Sequence, residues 1–111
     1  MDFSISGLRV YALYGSQEDV PVPAGKGFEI HAEYTIINAQ PGLTAWTTCM
    51  TVWDVTHNKA VGSDPNWVHY GAGGLAKDAV NVVMPADGAK YRVKIWATQS
   101  STTTSPPQSS W

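Results

Sequence analysis

The chain has a single cysteine, Cys49, so no disulfide can form within it and packing alone must hold the fold. Charge is scarce as well. Charged residues make up 14% of the 111, against roughly 25% in average globular domains. The net charge is −2, and no basic stripe of the kind that binds nucleic acid is present. Four of the seven cations (Lys77, Lys90, Arg92 and Lys94) do fall within one stretch, which reads as a solvated strand face and its turns. No run approaches the roughly 20 apolar residues of a membrane span, and Asn-x-Ser/Thr sequons are absent. No basic and apolar leader precedes the first strand. These absences lead us to expect a soluble module without membrane insertion or nucleic-acid binding. A chain of this length can bury a hydrophobic core as one domain.

What is present favours β-structure. Ten Gly, seven Pro and many Val, Thr and Tyr punctuate short alternating runs. Phe3, Ile5, Leu8, Val10 and Ala12 mark a first strand over 2–13, with a bulge or kink at Gly7. Gly15–Asp19 reads as a polar turn. Val20-Pro21-Val22-Pro23 reads as an edge or crossing segment, since proline gives no N–H to a ladder. Residues 28–38 give the clearest period of two, with Phe28, Ile30, Ala32, Tyr34 and Ile36 on one face and Glu29, His31, Glu33 and Thr35 on the other. Further strands are expected over 44–55, 59–61, 75–84 and 91–97, with an irregular loop over 62–74. Residues 98–110 are only Thr, Ser, Gln and Pro and cannot form a core strand. A domain over 1–97 is therefore expected, followed by a linker, arm or weak edge strand over 98–111.

The segment Asp87-Gly88-Ala89-Lys90-Tyr91-Arg92-Val93 resembles the Asp-x-Ala-x-Tyr-x-Cys pattern of immunoglobulin-like domains, with Val93 in place of the cysteine. Ala32, Trp46 and Val93 are similarly spaced to the family's Cys, Trp, Cys core pin. Val22-Pro23-Ala24-Gly25-Lys26-Gly27-Phe28 looks like the entry to strand B of microbial adhesion-type members. The resemblance covers about residues 20–97. It implies a disulfide-free, all-β, immunoglobulin-like antiparallel sandwich of about seven strands, with Ala32, Trp46, Tyr91 and Val93 in its core. It also implies that Tyr91 is a tyrosine-corner residue. The polar tail departs from the pattern, because a last strand should follow. That strand is a weak polar edge, lies further along a longer chain, or comes from another molecule.

Residues able to carry chemistry do not converge. His31, His57 and His69 lack metal-ligand spacing, and no cofactor is implied. Glu29 and Glu33, outward on one strand, stand on the order of 13 Å apart, too far for a glycosidase pair. Glu18 and Asp19 supply too few oxygens for calcium. Cys49 lacks an evident base and reads as a shielded thiol.

The aromatics carry the stronger signal. Five tryptophans exceed what this core can use. With Trp46 inward, Thr48, Met50 and Val52 follow it, and Thr47, Cys49, Thr51 and Trp53 face out. Alternation from Tyr91 sends Arg92, Lys94 and Trp96 outward. In an immunoglobulin-like sandwich those two strands are neighbours, so Thr47, Thr51, Trp53, Arg92, Lys94 and Trp96 would form one interface, with Trp111 at the tail as a further contact. If Trp53 were the core tryptophan instead, the face would invert. Trp67, His69 and Tyr70 make a candidate ligand loop for a glycan. The reading is a non-enzymatic structural or assembly module acting through protein contacts, such as a virion (capsid, decoration or tail) or surface-array component. The alternative is a carbohydrate-binding or adhesion module of a larger surface protein. Virion or cell surface is the expected location.

Overall fold

Alternation of apolar and polar side chains, with few helix-favouring runs, leaves the chain one way to bury its core: as paired strands with one face inward. The computed structural model describes residues 3–38, 47–65, 73–97 and 109–110, and all regular structure among them is strand. The strands are β1 (Phe3–Tyr14), β2 (Gln17–Glu18), β3 (Gly27–Asn38), β4 (Thr48–Asp54), β5 (Lys59–Pro65), β6 (Gly73–Val83), β7 (Lys90–Ala97) and β8 (Ser109–Ser110). They form two sheets, ordered β2-β1-β3-β6 and β5-β4-β7-β8. Every pairing is antiparallel.

The core lies between the sheets. Phe28, Ile30, Ala32, Tyr34 and Ile36 of β3 are buried, as their period of two requires. Val80 and Val82 join them from β6, Met50 and Val52 from β4, and Tyr91, Val93 and Ile95 from β7. The Tyr91 ring meets Phe28 edge-on at 6.0 Å between centroids. Ala32, Tyr91 and Val93 are thus core residues, as expected. Trp46 lies outside the described residues.

The expected bulge sits at Gly7. Ser6 pairs with Thr35 and Arg9 with Glu33, so Gly7 and Leu8 together oppose one residue of β3. Gly7 has φ of +63°, the left-handed conformation that glycine adopts without a Cβ penalty. The extra residue explains why the apolar positions of β1 jump from Ile5 to Leu8 while both stay on the inner side.

Two segments depart from the sequence reading. The turn over 15–19 contains β2, which closes a tight hairpin through Leu13↔Glu18 and Tyr14↔Gln17. Two residues are too few to show a period. The loop expected from Gly62 is strand as far as Pro65, because β5 continues along β4 as far as the Cys49↔Pro65 pair. Asp64 gains from this placement, since its Oδ2 accepts the Ala79 N–H of β6 at 3.0 Å. At the tail, Ser109 and Ser110 pair with Tyr91 and Lys90, giving the second sheet a two-residue edge.

One polar group crosses the core. The Tyr34 hydroxyl lies 2.7 Å from Asp78 Oδ2 and 2.8 Å from Thr48 Oγ1. It has one proton, so it donates to the carboxylate and accepts from the threonine. All three side chains are buried. Tyr34 and Asp78 belong to one sheet and Thr48 to the other, so the bonds tie the sheets together at a fixed offset.

Candidate functional site

β4 and β7 lie side by side with Trp53 opposite Arg92, Thr51 opposite Lys94 and Cys49 opposite Trp96. Thr48, Met50 and Val52 point inward and are fully buried. Their neighbours therefore point outward, and the face has the orientation expected with Trp53 outside. Trp53 is 38% exposed, Arg92 and Lys94 are exposed, and Thr47, Thr51 and Trp96 are half-buried. Thr51, Trp53, Arg92, Lys94 and Trp96 line one groove of about 350 Å³. Trp53 and Trp96 stand at its two ends, four residue steps or about 13 Å apart along the strands. Lys94 and the Thr51 hydroxyl lie between them, and Arg92 sits across from Trp53.

The electrostatics of this face are one-sided. Lys90, Arg92 and Lys94 share the outward parity of β7, and neither Arg92 nor Lys94 makes an ion pair among the described residues. Asp87, the acidic residue nearest to them in sequence, is paired with His57. Asp54 is fully buried, and Asp64 bonds back to β6. Setting those three cations aside leaves four cations against nine carboxylates, so the rest of the chain carries −5.

The opposite sheet presents a different surface. Arg9 pairs with Glu18 and lies 3.8 Å from Glu33, with its guanidinium 4.1 Å from the Tyr11 ring centroid. The Tyr11 hydroxyl donates to Glu33 at 2.8 Å, and its ring stacks on His31. His31 in turn meets Glu29 at 2.8 Å. Glu29 and Glu33 are drawn into separate contacts. A hollow of about 440 Å³ opens at the end of β3, between Leu13, Phe28, Glu29 and Val83.

A third cluster escaped the sequence reading, which treated His57 as an ordinary turn residue. His57 Nδ1 lies 2.8 Å from Asp54 Oδ2 and Nε2 lies 2.9 Å from Asp87 Oδ1. Its backbone N–H also bonds Asp54, at 2.9 Å. With a carboxylate at each nitrogen, both ring nitrogens donate, and the imidazolium is favoured. Asp87 first, then Asp54, raises the His57 pKa, and His57 lowers that of Asp87. Next to it, Val55 N–H donates to Lys90 O at 2.8 Å and Lys90 N–H to Thr56 Oγ1 at 2.9 Å. The β4–β5 turn is thus clamped to the β6–β7 turn. Nε2 is committed to Asp87, so the cluster holds two turns together. The only sequence cue was Asp87 of the immunoglobulin-like motif, whose partner lies 30 residues away.

No protein-family model matches this chain, and no curated protein sequence matches it either. Its function has to be read from the surface itself. Among the described residues no group of three or more His, Cys, Asp or Glu could hold a metal ion, and no helix is long and apolar enough to cross a membrane. Tyr91 is buried beside Asp54, and burial pushes its phenol up to about 12, so it stays protonated. Cys49 is half-buried, and burial raises its thiol as well. Trp67, His69, Tyr70 and Trp111 lie outside the described residues.

Proposed function

We propose that this chain is a non-enzymatic, immunoglobulin-like module that joins a larger assembly through the outer face of β4 and β7. The strand order supports the family reading. β3 and β6 share one sheet, while β4 and β7 are central in the other, as strands B, E, C and F are in immunoglobulin-like sandwiches. The carrying observation is the groove. Two tryptophans line it together with two cations that make no ion pair among the described residues, in a protein whose overall charge content is low. Trp and Arg are the side chains most enriched among interface anchors. A component of a virion or a surface array has such faces, which are covered when the assembly forms. A carbohydrate-binding role rests on Trp67, His69 and Tyr70, and no described residue adds to it.

Sedimentation velocity across the micromolar range, read alongside acrylamide quenching of tryptophan, tests the proposal. The expected result is association that shields indoles exposed in the dilute protein. A monomer at every concentration, with Trp53 and Trp96 already shielded by their own chain, would refute it.

A further inference from the structure

The proposed docking face leaves its occupant open, and the rest of the same molecule offers a matching surface. Trp53 is one of four large hydrophobic side chains exposed among the described residues, and Val83 is another, at 64%. Val83 rims the hollow of about 440 Å³ on the opposite sheet, which is also lined by Leu13, Gly15 and Gly27. The charges beside the two features are opposite. Arg92 is directly across from Trp53, and Lys94 is one row further on. Val83 pairs with Gly27, and Glu29 stands one row further on in the same way. Glu18, which already pairs with Arg9 and has its second oxygen to offer, lies in that row too, across Leu13. Rows on one face of any sheet repeat at about 7 Å. A tryptophan with a cation one row away therefore fits a hollow with a carboxylate one row away. Glu29 meets His31, and a carboxylate can accept several bonds.

We propose that the occupant is a second copy of this chain, with Trp53 of one copy entering the hollow beside Val83 of the next, and Arg92 and Lys94 facing Glu29 and Glu18. This rests on the reading of the β4–β7 face as a docking surface. Knob and hollow sit on opposite sheets, so the contact is heterologous. Each copy can donate and accept at once, and the product is an open row. The basic face against a remainder of −5 gives the approach its direction.

The test uses the whole chain and two variants, Trp53→Ala and Val83→Arg. Both positions are exposed, and thermal melts check that each variant folds. The wild type is expected to self-associate, with an affinity that falls as salt screens the charges. Each variant alone should associate on the order of thirtyfold more weakly. Mixed at equal concentration, the two should form a one-to-one dimer, because one retains the knob and the other the hollow. As a second arm, Lys94→Glu and Glu29→Lys should each weaken association, and the double variant should recover it. Association that is lost in Trp53→Ala but persists in Val83→Arg would overturn the proposal while leaving the docking face standing. So would two weakened variants that do not complement each other. A wild type that stays monomeric with accessible indoles would overturn the second copy as occupant, whereas the docking face itself fails only if those indoles are shielded by their own chain.

Discussion

Replacing Tyr34 with phenylalanine isolates the polar tie between the two sheets. The ring stays, so the apolar area buried and the core volume are nearly unchanged. Only the hydroxyl leaves, and with it the bonds to Asp78 at 2.7 Å and Thr48 at 2.8 Å. Removing one partner of a buried hydrogen bond costs about 1–3 kcal/mol, towards the upper end where the acceptor is a carboxylate. We take about 2 kcal/mol. For a domain of this size that lowers the melting temperature by about 8 °C. Thermal melts and urea unfolding should agree, with the urea slope unchanged because the surface exposed on unfolding is the same. A cycle with Thr48→Val separates the two bonds. Thr48→Val should cost less in the Tyr34→Phe background than in the wild type, because their shared bond is already gone. A loss under about 0.5 kcal/mol in Tyr34→Phe, or strict additivity in the cycle, would refute the idea that this hydroxyl links the sheets.

Two further predictions concern titrating groups. His57 is raised by its carboxylate partners, so its stabilising contribution is complete below the ordinary histidine value of about 6.5 and is lost as pH rises through the higher folded value. Asp87 is lowered, so its contribution is present above its ordinary value of 3.8 and is lost as pH falls through the lower folded value. The clamp should therefore be strongest between roughly pH 4 and 6.5. The melting difference between wild type and His57→Gln should be largest within that window and shrink as pH rises beyond it, and a flat difference would exclude the charged clamp. Cys49, half-buried with a raised thiol, should alkylate more slowly at neutral pH than an unstructured cysteinyl peptide and accelerate as pH rises. An equal rate at neutral pH would show that burial does not suppress its thiolate.

The parts of this structure that depend on parity along one strand were legible in the sequence. β3 alternates without interruption, so its inner face could be read directly, and the break from Ile5 to Leu8 pointed to the bulge at Gly7. The β4–β7 face was also a parity argument. It held because β4 and β7 pair without a shift from Thr48 to Asp54. What depends on pairing between distant segments was hidden. Gly62–Pro65 has the composition of a loop, yet β4 gives it a ladder to complete. Asp78 occupies an inward position between Ala76 and Val80, and that was a visible anomaly. Its partner Tyr34, and Thr48 beyond that hydroxyl, were not visible, because they lie 44 and 30 positions away on other strands. The hollow beside Val83 is made where three strands end together, and no local pattern encodes such a junction.

Gly7 leaves β1 one residue longer than its partner needs. Seen from the gene, this makes the two longest strands unequal in what they can lose. Removing codon 7 would bring Ser6, Leu8 and Arg9 opposite Thr35, Tyr34 and Glu33 in an unbroken ladder, with every remaining side chain on its present face. Removing any one codon between Phe28 and Ile36 has no such remedy. It would turn the residues on one side of the gap over, exchanging core for solvent. The bulge gives β1 a spare position, while β3, paired on both edges, is the strand in which the reading of the whole sandwich is kept.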